Sequence, residues 1–302
     1  MDYRKIFFSK NLRLKILSWL KWVPDYVMLP IQYKLQTGKK LNLKNPKRFT
    51  EKLQLYKTSY RNDLLPICVD KAEVKNYIAS LGLVDIVIPT LGLYEKAEYI
   101  DFHNLPEKFV IKTTDGGGGN NIIVCRDKNK LNISETVKKL NSWLNIKNIN
   151  AGREWAYTGI KKSQIIVEDF LENEIDPKAG IDDYKIFCFN GKPYCIVRDI
   201  DRYIGHKRNF YDLNWNNLHI KNDCPGFDDS NIKPPSKLNE MLEVASKLSK
   251  PFPFVRVDLY QVKNKIYFGE LTFYPWSGYV NFYPEEFDYK LGELFDISSF
   301  NK

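Results

Sequence analysis

The sequence predicts an α+β fold, on three observations. Two strand-like runs each turn back on a short connection: residues 184–189 meet 194–198 through Asn190-Gly191, a dipeptide suited to a two-residue hairpin, and 255–260 meet 266–271 across Lys263-Asn264-Lys265. Helical stretches over 71–81, 134–144 and 237–249 stand among the strands without the one-for-one alternation of a βαβ array. Apolar residues at 43% and charged residues at 27% supply a buried core rather than a disordered chain.

In chain order, a helix over 8–23 would place Phe8, Leu12, Ile16, Trp19, Leu20 and Val23 on one face and Lys10, Ser18 and Lys21 opposite, with Leu14 and Leu17 blurring the stripe. Such a helix either packs on its own domain or on another subunit, or lies on an anionic membrane surface. Residues 46–53 read as a turn feeding a helix, with Thr50 as the candidate N-cap. The helix over 71–81 stops at Gly82. Ile86-Val87-Ile88 before Pro89 suggests a strand, and residues 109–112, a glycine run and 122–125 read as strand, loop, strand. Ile165-Ile166-Val167-Glu168 is a further strand. No internal repeat or low-complexity tract interrupts this order.

A length of 302 residues suits one large domain or two to three modest ones. No run approaches the roughly 18 apolar residues of a spanning helix, and Lys10, Arg13, Lys15 and Lys21 break any signal-peptide core. Cys68, Cys125, Cys188, Cys195 and Cys224 are odd in number and well separated, so a reducing, cytosolic setting is expected without a disulfide or zinc framework. The net charge of +9 is concentrated: residues 1–50 hold twelve Lys/Arg against Asp2 and Asp25, which leaves the other 252 residues at −1. A nucleic-acid binder would carry its basic charge on the folded body, so no nucleic-acid partner is expected. A basic leader contacting the inner face of an anionic membrane through residues 1–40 is the alternative use of that charge.

Three places carry candidate chemistry. The first is Lys112-Thr113-Thr114-Asp115-Gly116-Gly117-Gly118-Gly119-Asn120-Asn121. Consecutive glycines free backbone N–H groups to close over phosphates, and Lys112 ends an apolar strand where a lysine wants an anion. The plain alternative is a mobile hairpin loop. The second is the 255–272 hairpin. Arg256 and Asp258 share one strand face, Glu270 and Thr272 share one face of the partner, and pairing brings the two acids together. Paired carboxylates repel unless a cation lies between them, and hard oxygens suit Mg²⁺ with phosphate; the alternative is a cross-strand ion pair with Arg256. The third is Glu168-Asp169-Phe170-Leu171-Glu172, an ordinary strand end or a hinge whose backbone meets an adenine edge, with Lys185 on a neighbouring strand. His103, His206 and His219 have no evident partners.

In order and spacing these pieces resemble an ATP-grasp fold. Several strings resemble its teichuronopeptide-biosynthesis (TupA-like) branch: Phe49-Thr50-Glu51-Lys52-Leu53-Gln54, Val69-Asp70-Lys71, Lys112 with its glycine loop, Gly152-Arg153-Glu154-Trp155, Asp183-Tyr184-Lys185, Asn209-Phe210-Tyr211-Asp212 and Glu270-Leu271-Thr272-Phe273. The resemblance spans about residues 44–284.

It implies two α+β subdomains sandwiching ATP behind a basic helical leader. The expected units are 1–44 as leader, 45–106 as a preceding region, 107–164 as the subdomain with the glycine lid, and 165–302 as the subdomain with the Mg²⁺-binding hairpin. Lys112 and Lys185 would hold the α and β phosphates beneath a lid of Gly116 to Gly119 and Asn120. Glu168, Phe170, Leu171 and Glu172 would bind adenine and ribose; Asp258 and Glu270 would ligate Mg²⁺. Thr272, whose hydroxyl ligates a metal less readily, would complete the metal set where many relatives carry Asn. Arg256, with Lys112 and Lys185, would act in catalysis by stabilising the moving phosphoryl charge.

The implied activity is ADP-forming carboxylate–amine ligation, which needs positioned phosphates and cations rather than a protein nucleophile. Lys71, Arg198, Asp199, Arg202, Tyr211 and Trp276 would face an anionic sugar such as a uronic acid and its amino-acid or amine partner, in capsular or surface-polysaccharide assembly. A glycosyltransferase or an ATP-dependent sugar phosphotransferase of the same pathway are the other readings.

Overall fold

The computed structural model describes residues 16, 17, 19–117, 121–145, 152–173, 176–298 and 300. The described helices are α1 (Asp25–Thr37), α2 (Phe49–Ser59), α3 (Leu64–Val69), α4 (Glu73–Ser80), α5 (Ile133–Asn145), α6 (Trp155–Thr158), α7 (Leu238–Ser249) and α8 (Glu286–Leu294). The strands are β1 (Thr90–Tyr94), β2 (Phe109–Thr113), β3 (Ile122–Cys125), β4 (Ile165–Asp169), β5 (Asp183–Phe189), β6 (Lys192–Ile200), β7 (Lys207–Tyr211), β8 (Phe254–Val262) and β9 (Lys265–Thr272). They form two antiparallel sheets, β1-β4-β2-β3 and β7-β6-β5-β8-β9.

The first sheet alternates as a half-buried sheet must. In β2, Phe109, Ile111 and Thr113 are buried, while Val110 and Lys112 face the other side. Phe109, Ile111, Ile165 and Val167 share a small core with Ile100, Phe102 and Leu140 of α5. The boundary expected at residue 165 is corrected here, because β4 lies between β1 and β2 instead of opening the second sheet. Its apolar Ile165-Ile166-Val167 run suits a central strand.

The second sheet holds the larger core. Met241, Val244, Ala245 and Leu248 of α7 cover one face. Along the other, Phe49 and Tyr56 of α2 meet Phe187, Phe189, Phe254 and Phe295, with the Phe49 and Phe254 rings 4.8 Å apart. The β5–β6 turn has Asn190 at φ 49° and Gly191 at φ 76°, the left-handed pair that a two-residue hairpin needs.

Other departures have local causes. Thr50 is not the N-cap of α2. The helix starts at Phe49, Glu51 Oε2 accepts the Lys47 and Arg48 N–H groups at 2.9 and 3.1 Å, and Thr50 instead gives both its N–H and hydroxyl to Asp288 of α8 at 3.0 and 2.7 Å. Ile86-Val87-Ile88 is not a strand. Residues Val84–Ile86 form a 3₁₀ turn closed by Val87 N–H on Val84 O, and the strand begins beyond Pro89. The helix expected over 8–23 lies largely outside the described residues; within it, Leu20–Trp22 form a 3₁₀ turn and Val23 is extended.

Candidate active site

Period-two alternation in the second sheet aims a charged set into one cleft. Asp183 and Lys185 of β5, Asp199 of β6, Arg208 of β7, and Arg256 and Asp258 of β8 are all buried and all line it. Lys185 Nζ lies 3.0 Å from Asp183, 3.2 Å from Asp258 and 3.8 Å from Asp199. Arg256 forks onto Asp258, Nε to Oδ1 at 2.7 Å and a terminal nitrogen to Oδ2 at 2.6 Å. The same nitrogen reaches Thr272 Oγ1 at 3.0 Å and Glu270 Oε1 at 3.3 Å, and the Thr272 hydroxyl donates to Glu270 at 2.8 Å. Asp258 and Glu270 are register partners across β8 and β9, as expected, and Arg256 bridges them. Arg208 forks onto Asp199 at 2.5 and 2.9 Å, and Arg202 reaches Asp183 at 3.0 Å.

The electrostatics follow from these contacts. Burial works against the Arg256 charge, but Asp258 and Glu270 outweigh it, so its pKa is raised. Burial would raise Glu270, yet Arg256, Lys71 and Lys185 outweigh it and hold its carboxyl at about 2, although the side chain is 41% exposed. Asp199 is held at about 2 in the same way, burial being outweighed by Arg208 and Lys185. Burial lowers the Lys71 ammonium against the pull of Glu270. Glu270 and Asp199 therefore stay anionic and Arg256 stays cationic at neutral pH, whereas burial raises the Asp258 carboxyl against the pull of Arg256 and Lys185.

The first sheet and its loop supply the facing wall. Lys112 pairs with buried Glu168, whose other oxygen takes Lys75 at 2.6 Å, and Lys71 donates to the Gly116 carbonyl. Burial would raise Glu168, but the two lysines outweigh it and lower its pKa. Gly116 and Gly117 line the cleft; Gly118, Gly119 and Asn120 lie outside the described residues. The cleft has a volume of about 500 Å³ and adjoins a slot of about 160 Å³ lined by Ile88, Val110, Val124, Glu168, Phe170 and Leu171, where the chain leaves the end of β4. Arg126 lies 5.2 Å above the Phe170 ring.

Of the residues expected to touch substrate, Lys71, Asp199, Arg202 and Trp276 line the cleft. Trp276 lies beneath two guanidinium groups, Arg208 at 5.1 Å and Arg256 at 5.9 Å. Its φ of 51°, followed by 54° at Ser277, is unusual for bulky side chains. Lys57 Nζ on Ser277 O at 2.9 Å and Gln54 Nε2 on Gly278 O at 3.0 Å hold this turn in place. Two residues are corrected. Arg198 alternates away from Asp199 onto the opposite face, forked on Asp182 at 3.1 and 2.6 Å, and Tyr211 alternates away from Arg208, stacked on Trp215 at 4.3 Å. Glu172 lines neither cavity and pairs with Lys108 at 2.9 Å.

Sequence reasoning passed over Asp183, Arg208, Lys75, Glu154 and His206. Glu154 and His206 line the cleft, the latter with Nε2 3.3 Å from Asp199. The strand phase already anchored by Lys185 would have selected Asp183, two residues away; His206 and Lys75 carry no local signal.

The donor set suits a hard cation. Asp258 and Glu270 offer carboxylate oxygens and Thr272 a hydroxyl, while the described residues contain no group of three His, Cys, Asp or Glu that could cage a metal. A divalent ion here would therefore draw its remaining ligands from phosphate and water, the habit of Mg²⁺.

A cleft lined from two antiparallel sheets, with lysines on both walls and a slot with apolar walls beside it, is the arrangement of an ATP-grasp protein. The chain belongs to the TupA-like ATP-grasp family, whose sequence profile matches residues 51–296. No curated protein matches it. Similar solved structures include the D-alanine–D-alanine ligase of Helicobacter pylori, 19% identical over 76% of this chain and 62% of that one with a TM-score of 0.43. The Bacillus anthracis D-alanine–D-alanine ligase is 18% identical over 68% and 57%, TM-score 0.42. The ADP complex of an N5-carboxyaminoimidazole ribonucleotide synthetase is 16% identical over 70% and 46%, TM-score 0.45. The chain thus spans between 46% and 62% of the length of these enzymes. Among the described residues no helix is long and apolar enough to cross a membrane.

Proposed function

We propose that the protein is an ATP- and Mg²⁺-dependent ligase that joins an amino acid or amine to a uronic-acid carboxylate during surface-polysaccharide assembly. The observation that carries this reading is Arg256. It is locked on Asp258, bridged to Glu270 and Thr272, and aimed into a cleft whose other wall presents Lys71 and Lys112.

Adenine would enter the slot at Phe170 and Leu171, with Lys112 and Lys185 along the phosphates. A substrate carboxylate oxygen attacks the terminal phosphorus and ADP leaves, giving an acyl phosphate. The amine then attacks the acyl carbon, loses its proton, and phosphate departs. Arg256 supplies a fixed positive charge where the moving phosphoryl oxygens gather it. A divalent cation held by Asp258 and Glu270 would neutralise the phosphate charge. Trp276 beside two guanidinium groups offers an aromatic surface next to cations, which suits an anionic sugar ring. In this reading the basic leader keeps a cytoplasmic enzyme beside the membrane face where such glycans are built.

The test is incubation with ATP, Mg²⁺ and a panel of UDP-uronic acids crossed with amino acids, with Asp258→Asn as control. ADP release that needs both partners, with a condensation-mass product, is the expected result. A phosphate-mass adduct would identify a sugar phosphotransferase instead. UDP release with ATP untouched would identify a glycosyltransferase.

A further inference from the structure

Helix α1 is apolar on two sides. Met28, Leu29 and Tyr33 face inward and are buried, as an amphipathic helix requires. Val27, Ile31 and Leu35, spaced four apart, form a second apolar line on the outside, each 38–49% exposed. Trp19 and Trp22 of the segment leading into the helix, exposed at 75% and 74%, and Tyr26 of its first turn, at 73%, add to this face. Scattered surface leucines need no explanation, but six large apolar side chains within seventeen residues call for a cover.

The surrounding charge identifies that cover. Beside Tyr26 and Pro30 opens a hollow of about 680 Å³ whose rim carries Lys40, Lys44 and Lys47, all exposed. Residues 1–50 hold the chain's whole positive excess, while the remainder is close to neutral. Tryptophan and tyrosine beside an aliphatic line, flanked by lysines, match the boundary between lipid headgroups and acyl chains. A protein partner would more often meet a face poor in lysine.

We infer that this face, from Trp19 to Lys47, docks on an anionic lipid bilayer, with the apolar line at the acyl boundary and the lysine hollow on headgroup phosphates. The face is tied to the cleft. Arg153 donates to Leu20 O at 3.0 Å and Val23 O at 2.7 Å and pairs with Asp25, while its neighbours Gly152 and Glu154 line the cleft wall. A lipid-carried acceptor would thus arrive at the wall next to the docked surface. That purpose rests on the ligase reading; the docking itself is tested without any substrate.

The experiment is co-sedimentation of the full chain with vesicles of phosphatidylglycerol and phosphatidylcholine, and with phosphatidylcholine alone. Binding to the anionic vesicles is expected, with at least a tenfold loss in Trp22→Ser/Ile31→Ser/Leu35→Ser and in Lys40→Glu/Lys44→Glu/Lys47→Glu. Melting curves check that each variant folds. Should the serine variant melt early, the lysine reversal, confined to exposed side chains, decides. Failure of the parent chain to bind anionic vesicles would overturn the inference. So would binding unchanged in both variants, or a dimer that the serine variant splits, which would make a second copy the cover. Loss of ligase activity in the substrate panel with vesicle binding intact would overturn the functional reading and leave the docking standing.

Discussion

Arg256 shows how a single side chain carries both the fold and the chemistry of the cleft. Its planar fork matches the Asp258 carboxylate with two bonds, a geometry an ammonium cannot reproduce. Arg256→Lys is expected to lower the ATP-dependent rate by about 10²–10³, the usual loss on removing one preorganised donor. Rate assays paired with melting curves separate this from misfolding. Asp199 makes a second case, in stability. Its folded pKa of about 2 lies below the unfolded value near 3.9, so it stabilises above pH 4 and that contribution disappears as pH falls toward 2. The contribution is about 2 kcal/mol for this buried carboxyl. Urea midpoints should fall across that window in the parent chain. Asp199→Asn should be less stable at neutral pH, with Arg208 left buried and unpaired, and should show a flatter acid limb.

At the scale of elements, the strand hairpins and the long helices were legible, and so was the meeting of Asp258 with Glu270, because a short turn sets the register. Strand phase was where the reading of side chains slipped. Arg198 and Tyr211 have the right chemistry for a sugar site, yet Arg198 lies one residue from Asp199 and Tyr211 three from Arg208, and an odd step on a strand reverses the face. β1 was missed because Pro89, Gly92 and exposed Leu91 and Leu93 weaken its pattern, while its pairing with β4 is made far along the chain. α8 was missed for a related reason. Its purpose is to receive α2, and that contact is invisible locally: Asp288 caps Thr50, and a Cβ on Gly292 would lie 2.0 Å from Lys47 O and 2.9 Å from Phe49 N. Gly292→Ala is therefore expected to destabilise by about 1–3 kcal/mol through overpacking against backbone, read as a lower melting temperature.

For the molecule as a whole, ligand and stability should be linked. The cleft is built from both sheets and from the 71–117 wall, so nucleotide binding bridges parts that have separate cores. ATP with Mg²⁺ at about 100 times its dissociation constant should stabilise the fold by about 2.7 kcal/mol, seen as a rise in melting temperature. Lys112→Met should diminish that rise. The packing of α2 on α8 has a consequence for how the chain comes into being. Lys52 donates to the Gly292 and Phe295 carbonyls at 2.7 Å each, and β1 must wait for β4. Helix α2 can dock on β5 and β8 as they form, but its bonds to Asp288 and to the Gly292 and Phe295 carbonyls wait for α8. During synthesis, α2 should consequently gain its full protease resistance only once α8 has emerged.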